Sequence, residues 1–157
     1  EWLGSTMAAK YPLHLISSQP KGKLHGQMDP SGPSQRHKVG GREKLTINPV
    51  DATARYISDG DVVRVFNSRG ACLAGVAVSE DVRRGVVVLA TGSWYDPEQL
   101  GTPGSLDKHG NANVLTYDAG TSRLGQGPSA MTALVEVELV TDAPPVTAFD
   151  PPAEVGG

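Results

Sequence analysis

Six short apolar runs punctuate the chain, separated by glycine, proline and small polar residues. The first, YPLHLISS at 11–18, opens with Pro12 at a position a strand tolerates. The stretch from 45 to 89, LTINPVDATARYISDGDVVRVFNSRGACLAGVAVSEDVRRGVVVL, organises the rest. It reads as strand, short helix, strand, tight turn, strand, turn, strand. Asn48 suits a helix N-cap, Pro49 the first helical position, and Asp51 the first turn near the positive end of the helix dipole. Val50, Ala54 and Ile57 fall at helical spacing and predict one apolar face. The helix stops by Ser58-Asp59-Gly60, with Gly60 free to take a positive φ. VVRVF, rich in β-branched residues, follows. Ser68-Arg69-Gly70 turns the chain into CLAGVAV, and Arg83-Arg84-Gly85 turns it into VVVLA. The last run, TALVEVELV, alternates. Val135, Val137 and Leu139 share one face and Glu136 and Glu138 the other, predicting a half-buried closing strand.

Two long polar stretches interrupt these runs. Residues 19–42 form a loop of a length that is uncommon inside a domain and usually functional or disordered. Lys21, Lys23, Arg36, Lys38, Arg42 and Lys44 outnumber Asp29 and Glu43 there. That excess suits a phosphate-bearing ligand or an acidic neighbouring surface, and equally a solvated basic loop. Residues 90–127 hold Trp94 and Tyr95, several turn signals, NVLTYD as a short strand or extended segment, and a short helix near 120–129 capped by Thr121 or Ser122. Residues 1–10 are a lead-in whose Trp2 and Leu3 either dock or stay disordered. Residues 142–157 form a proline-rich tail, extended and partly mobile. Pattern alone gives a β-rich barrel or sandwich with one or two helices.

At 157 residues the chain is one domain with room for one core. Its 19 glycines and 12 prolines suit many turns. A net charge of -3 argues against general nucleic-acid binding. No run approaches the ~20 apolar residues of a membrane span. No signal peptide opens the chain, which says nothing of compartment if more chain precedes it. The single cysteine excludes an internal disulfide and a cysteine zinc site, and Cys72, in an apolar strand, reads as a buried inert thiol. His14, His25, His37 and His109 lack a second ligand at metal spacing. There is no G-x-S-x-G, no H-E-x-x-H and no P-loop, so catalysis by this chain alone has no support.

The spacing I-N-P-x-D-A, then G-D-x-V-x-V, R-G and R-x-G-V, resembles the cofactor-binding domain at the C-terminus of molybdopterin oxidoreductases. The flanks LHLISSQPKGKLHGQ, WYDP and NVLTYDAGTSRLGQGPSA resemble its dimethyl sulfoxide, trimethylamine N-oxide and biotin sulfoxide reductase branch. The resemblance covers roughly residues 11–149. It implies a mainly β fold, a double-psi β-barrel with a six-stranded core, one or two short helices and two long loops. The barrel domain would span 11–141, between the lead-in and the tail.

The resemblance further implies a domain that helps bind bis(molybdopterin guanine dinucleotide) with its molybdenum, in an enzyme reducing small S-oxide or N-oxide substrates. In the first loop the matching residues are Ser17, Ser18, Gln19, Leu24, His25 and Gln27. In the second they are Asn113, Thr116, Asp118, Thr121, Ser122 and Gln126, with Trp94 shaping a wall between. Asn113 and Gln126 are the best single choices. Such side chains fit the ligand. A pyrophosphate takes N–H groups, hydroxyls and cations, and Asn, Gln and Asp match the donor–acceptor edges of guanine and pterin. On composition alone the same residues are simply turn formers. The branch's metal-ligating serine belongs to an upstream domain, so the partners implied are upstream catalytic domains of the same polypeptide, and the isolated chain would be inactive. The competing readings are a free-standing double-psi barrel serving as a binding or structural module and, more weakly, a small autonomous enzyme.

Overall fold

The computed structural model describes residues 3–127, 129 and 132–151. The expectations for Trp2 and for residues 152–157 lie outside them. Six strands, β1 (Leu13–Ile16), β2 (Lys44–Ile47), β3 (Val62–Phe66), β4 (Ala71–Val78), β5 (Val86–Leu89) and β6 (Leu134–Leu139), close in the order β1-β5-β2-β4-β3-β6. The pairs β1·β5 and β2·β4 are parallel and the other four are antiparallel. This is the expected six-stranded double-psi barrel.

Period-two alternation builds the core. Leu13 and Leu15, Leu45 and Ile47, Val63 and Val65, Cys72, Ala74 and Val76, Val87 and Leu89, and Val135 and Val137 all point inward and are at most 2% exposed. Each Val, Leu or Ile so buried contributes about 1.5–3 kcal/mol relative to exposure. Burial, helped by nearby Asp107, pushes the Cys72 thiol well above its ordinary range, as an inert core residue requires.

The registers make strand direction alternate along the chain. The β1–β2, β3–β4 and β5–β6 connections therefore leave one end of the barrel, here called the loop end. The two long polar stretches are the first and last of these. The β2–β3 and β4–β5 connections leave the opposite end.

At that opposite end the helix cap forms as the sequence indicates. The Asn48 side-chain oxygen accepts from the Val50 N–H at 3.0 Å, and its amide donates to the Val82 carbonyl at 2.7 Å. Helix α2 (Pro49–Thr53) is shorter than expected. Its predicted face is corrected: Ala52 and Ile57 are buried, whereas Val50 and Ala54 are exposed. One turn of helix followed by a left-handed Tyr56 (φ 56°) does not keep the 3.6-residue phase as far as Ile57. Gly60 takes its positive φ of 87°. In β6, Val135 and Val137 point inward but Leu139, the last residue of the strand, is 39% exposed.

Candidate functional site

Every residue singled out by the resemblance lies on a connection at the loop end of the barrel. Those of 17–27 follow β1, and Trp94 with those of 113–126 precede β6.

The first loop is fastened by charge. Lys23 Nζ bonds Asp29 Oδ1 at 2.8 Å and Glu43 Oε2 at 2.6 Å. Lys38 Nζ reaches the same two carboxylates at 3.0 and 3.3 Å. Ser93 Oγ donates to Glu43 at 2.5 Å, and Ser34, in helix α1 (Gly32–Gln35), donates to Asp29 at 3.0 Å. All four charged side chains are at most 5% exposed. Burial opposes ionisation of Asp29, but the Lys23 hydrogen bond, the Trp94 N–H and Lys38 outweigh it and hold the carboxyl at about 2. Burial opposes ionisation of Glu43 too, and its bonds to Lys23 and Ser93 with the charge of Lys38 again prevail. The reading of a basic loop poised for phosphate is therefore corrected in part. Lys23 and Lys38 are spent inside the protein, and Arg42 donates to the carbonyls of Gly40 and Pro144.

This cluster places the turn at 24–27. The Gln27 N–H bonds the Leu24 carbonyl at 2.9 Å, His25 has a φ of 49°, and the side chains of Leu24, His25 and Gln27 are exposed. The turn lies directly on Gly92, where an added Cβ would overlap the His25 carbonyl and where φ is 94°. Only glycine meets both conditions. Gly75 of β4 does the same for the tip of the first loop: a Cβ there would overlap Val39.

Trp94 is held at four points. Its N–H bonds Asp29 Oδ2 at 3.0 Å, its ring N–H bonds the Gly26 carbonyl at 2.7 Å, its carbonyl meets His109 Nδ1 at 2.9 Å, and its ring packs on Phe149. It remains 44% exposed, so one part of the indole is available as a wall. Burial, and the charge of Lys38, lower the affinity of His109 for a proton. The neutral ring then donates from Nδ1 to Trp94.

Ser18 and Gln19 line a neighbouring cleft of about 420 Å³ with Lys21, His37, Lys44 and Thr46. Ser17 precedes it at the end of β1. The Ser18 carbonyl accepts from the Thr91 N–H at 3.0 Å, tying the ends of β1 and β5 together.

The second loop divides in two. Residues 96–115 are ordered around Asp107, fully buried, which accepts N–H bonds from Asp96, Gly110 and Asn111 at 2.7–2.8 Å. Burial nonetheless raises its carboxyl above the ordinary range against those donors. Asn113 lies within a 3₁₀ turn at Ala112–Leu115 and Thr116 directly follows it, where a short strand or extended segment was expected. Buried Ala112 and Leu115 draw that turn onto the core. Asn113 is exposed, and among the described residues its side-chain amide makes no hydrogen bond. Residues 117–126, with Asp118, Thr121, Ser122 and Gln126, form an exposed excursion. The described part of the helix expected at 120–129 is a turn instead, in which Ser122 Oγ accepts the Gly125 N–H at 2.7 Å. Gln126 has a φ of 46°. Among the described residues, no hydrogen bond or ion pair joins residues 17–27 to residues 113–126.

Sequence reasoning missed Asp29, Glu43, Asp107, Thr147 and Phe149. The tail, expected to be extended and partly mobile, turns back along the barrel to the loop end. The Thr147 N–H and hydroxyl both bond the Asp96 carboxylate at 2.8 Å, and Lys108 Nζ donates to Thr147 Oγ1 at 2.6 Å. Phe149 packs edge-on against Trp94 and His109, with ring centroids 5.3 and 5.0 Å apart. Its threonine and phenylalanine find buried partners, which outweighs the tail's proline-rich composition.

No group of three or more His, Cys, Asp or Glu among the described residues is placed to hold a metal. No helix among them is long and apolar enough to cross a membrane. What the loop end offers is a set of exposed hydroxyl, amide and imidazole groups on its two long loops and the half-exposed indole of Trp94, groups of the kind that pair with polar ring edges.

Residues 13–134 match the family described as "Molydopterin dinucleotide binding domain". The chain is 48% identical over 145 residues to a dimethyl sulfoxide/trimethylamine N-oxide reductase of Cereibacter sphaeroides, covering 92% of this chain and 18% of that protein. It is 52% identical over 136 residues to trimethylamine-N-oxide reductase 1 of Escherichia coli K12, covering 86% and 16%. It is 47% identical over 138 residues to a biotin sulfoxide reductase of Cereibacter sphaeroides, covering 88% and 18%. The chain thus spans under a fifth of the length of these relatives. Among solved structures, acetylene hydratase from Pelobacter acetylenicus superposes with a TM-score of 0.65 over 85% of this chain and 19% of that one, at 15% identity, which speaks to fold alone.

Proposed function

Because the chain belongs to the molybdopterin dinucleotide-binding domain family, we propose that it is the cofactor-binding domain of a molybdenum reductase acting on small S-oxides or N-oxides. Its ligand is bis(molybdopterin guanine dinucleotide), and its partners are upstream catalytic domains of the same polypeptide. When bound, the molybdenum centre supplies the two-electron oxygen-atom chemistry. This chain supplies the cradle and no metal ligand. Its limits are 11–141 for the barrel domain, and by itself it shows no reductase activity.

The observation that carries this reading is the convergence of both polar loops on one end of the barrel, where most of these side chains are exposed and bond at most within their own loop. Ser17, Ser18, Gln19, His25 and Gln27 present hydroxyl, amide and imidazole groups on one side. Asn113, Thr116, Asp118, Thr121, Ser122 and Gln126 present them on the other. Leu24 and Trp94 contribute apolar surface that excludes water from those bonds. Left-handed backbone at His25 and Gln126, each costing on the order of 1 kcal/mol, fits residues held for a purpose other than folding.

The test is Asn113→Ala and Gln126→Ala in the full-length enzyme. Each leaves a cofactor polar group unpaired in a dry site, a cost of about 1–3 kcal/mol. The expected result is reduced molybdenum and pterin content with unchanged melting of the barrel. Full cofactor content and normal turnover in both variants would sink the assignment.

A further inference from the structure

We propose that Thr147 and Phe149 are positioning residues for the Trp94 wall, so that the carboxyl-terminal segment is a working part of the site. The inference rests on the cofactor-site reading for what the wall is for, but the clasp itself rests only on this chain's contacts.

The segment does not merely lie on the surface. Thr147 uses its hydroxyl in both senses, donating to Asp96 and accepting from Lys108, while its N–H takes the other Asp96 oxygen. Asp96 in turn shares the loop around Asp107, and its carbonyl accepts from the Lys108 N–H at 2.8 Å. Two residues on, Phe149 meets Trp94 and His109 at interplanar angles of 69° and 89°, the edge-to-face arrangement that aromatic rings favour. His109 completes the circuit by bonding the Trp94 carbonyl. Phe149 therefore backs the indole, the Gly26 carbonyl fixes its ring N–H, and the rest of the ring faces out at the loop end. None of the clasp residues belongs to the apolar core of the barrel, which is built by the strands, α2, Ile57, Ala133 and the 3₁₀ turn at Ala112–Leu115. Removing the clasp is thus expected to free Trp94 and the turn at 24–27 without unfolding the barrel.

The experiment uses the full 157-residue chain in a Trp2→Phe background, which leaves Trp94 as its one tryptophan. In Phe149→Ala and Thr147→Val, Trp94 emission should shift to the red. Hydrogen exchange at the Gln27 and Trp94 amides should accelerate about tenfold, while β3 and β4 amides and the melting temperature stay as they were. Phe149→Tyr keeps the ring and should restore both signals. Unchanged Trp94 emission and exchange would overturn the proposal. So would equal loss of protection across the barrel, since the segment would then support the fold in general. Phe149→Ala in the cofactor-loaded parent separates the two readings. A freed Trp94 with full cofactor content leaves the clasp standing and removes Trp94 from the site.

Discussion

Gly92 is where backbone geometry and site meet most closely. Its positive φ and its contact with the His25 carbonyl mean that a single methyl group has nowhere to go. Gly92→Ala should destabilise the chain by roughly 1–3 kcal/mol, read from the urea midpoint, and should lift the 24–27 turn away from Trp94. The same substitution at Gly101, whose φ is 76° but whose surroundings are open, should cost less. Equal losses at the two positions would mean that the dihedral alone sets the cost. Lys23 is the other critical residue. Lys23→Met would leave Asp29 and Glu43 to Lys38 alone, and a broken buried ion pair costs on the order of 3–5 kcal/mol. A loss below 1 kcal/mol in denaturant would show that Lys38 suffices.

Among the elements, the strands and the turns at Gly70 and Gly85 were legible because their signals are local. Alternation, β-branching and glycine placement all act within a few residues. The first loop was not legible in this way. Lys23 finds Glu43 twenty positions away and Ser93 seventy away, and a lysine reads the same in sequence whether it is solvated or buried against carboxylates. NVLTYD shows the same limit: its apolar residues announce burial but not whether it is reached by strand or by 3₁₀ turn. The candidate site was legible through motif resemblance, and the scaffold behind it was not. The charge cluster also dictates a pH response. Asp29 drops from its ordinary 3.8 to about 2 in the fold. Its stabilisation is complete above the unfolded value near pH 4 and disappears as pH falls through about 2, a loss of about 2 kcal/mol. Glu43, lowered in the same direction, adds to the slope. Urea midpoints at pH 6 and pH 2.5 should therefore differ. Asp29→Asn should reduce the difference, and an unaltered slope in that variant would rule out the cluster as its source.

Over the whole molecule, fastening is uneven. The barrel, the charge cluster of the first loop and the residues around Asp107 are tied by buried contacts, whereas residues 98–104 and 117–126 are all exposed. In the chain alone, hydrogen exchange should rank these regions accordingly, with amides of 117–126 exchanging fastest and those of β3 and β4 slowest. Protection in 117–126 equal to that of β3 would contradict this order. Methyl-viologen-linked reduction of S-oxides or N-oxides by the same preparation should be zero, and any turnover would show that the cradle reading is incomplete.

The closure of the sheet carries its own hazard. A cylinder of strands offers no unpaired edge to a neighbouring chain, which protects a β-rich protein from aggregation. That protection is only as strong as its narrowest seam. β1 and β6 pair at two positions, Leu13 with Val135 and His14 with Leu134, extended by one bond from the Leu15 N–H to the Ala133 carbonyl, whereas β3 and β4 pair over five positions. When the barrel opens, it should unzip along β1·β6 and expose two fresh strand edges at once. Aggregation of this chain on heating should accordingly begin there, and a disulfide spanning that seam should delay it more than one placed between β3 and β4.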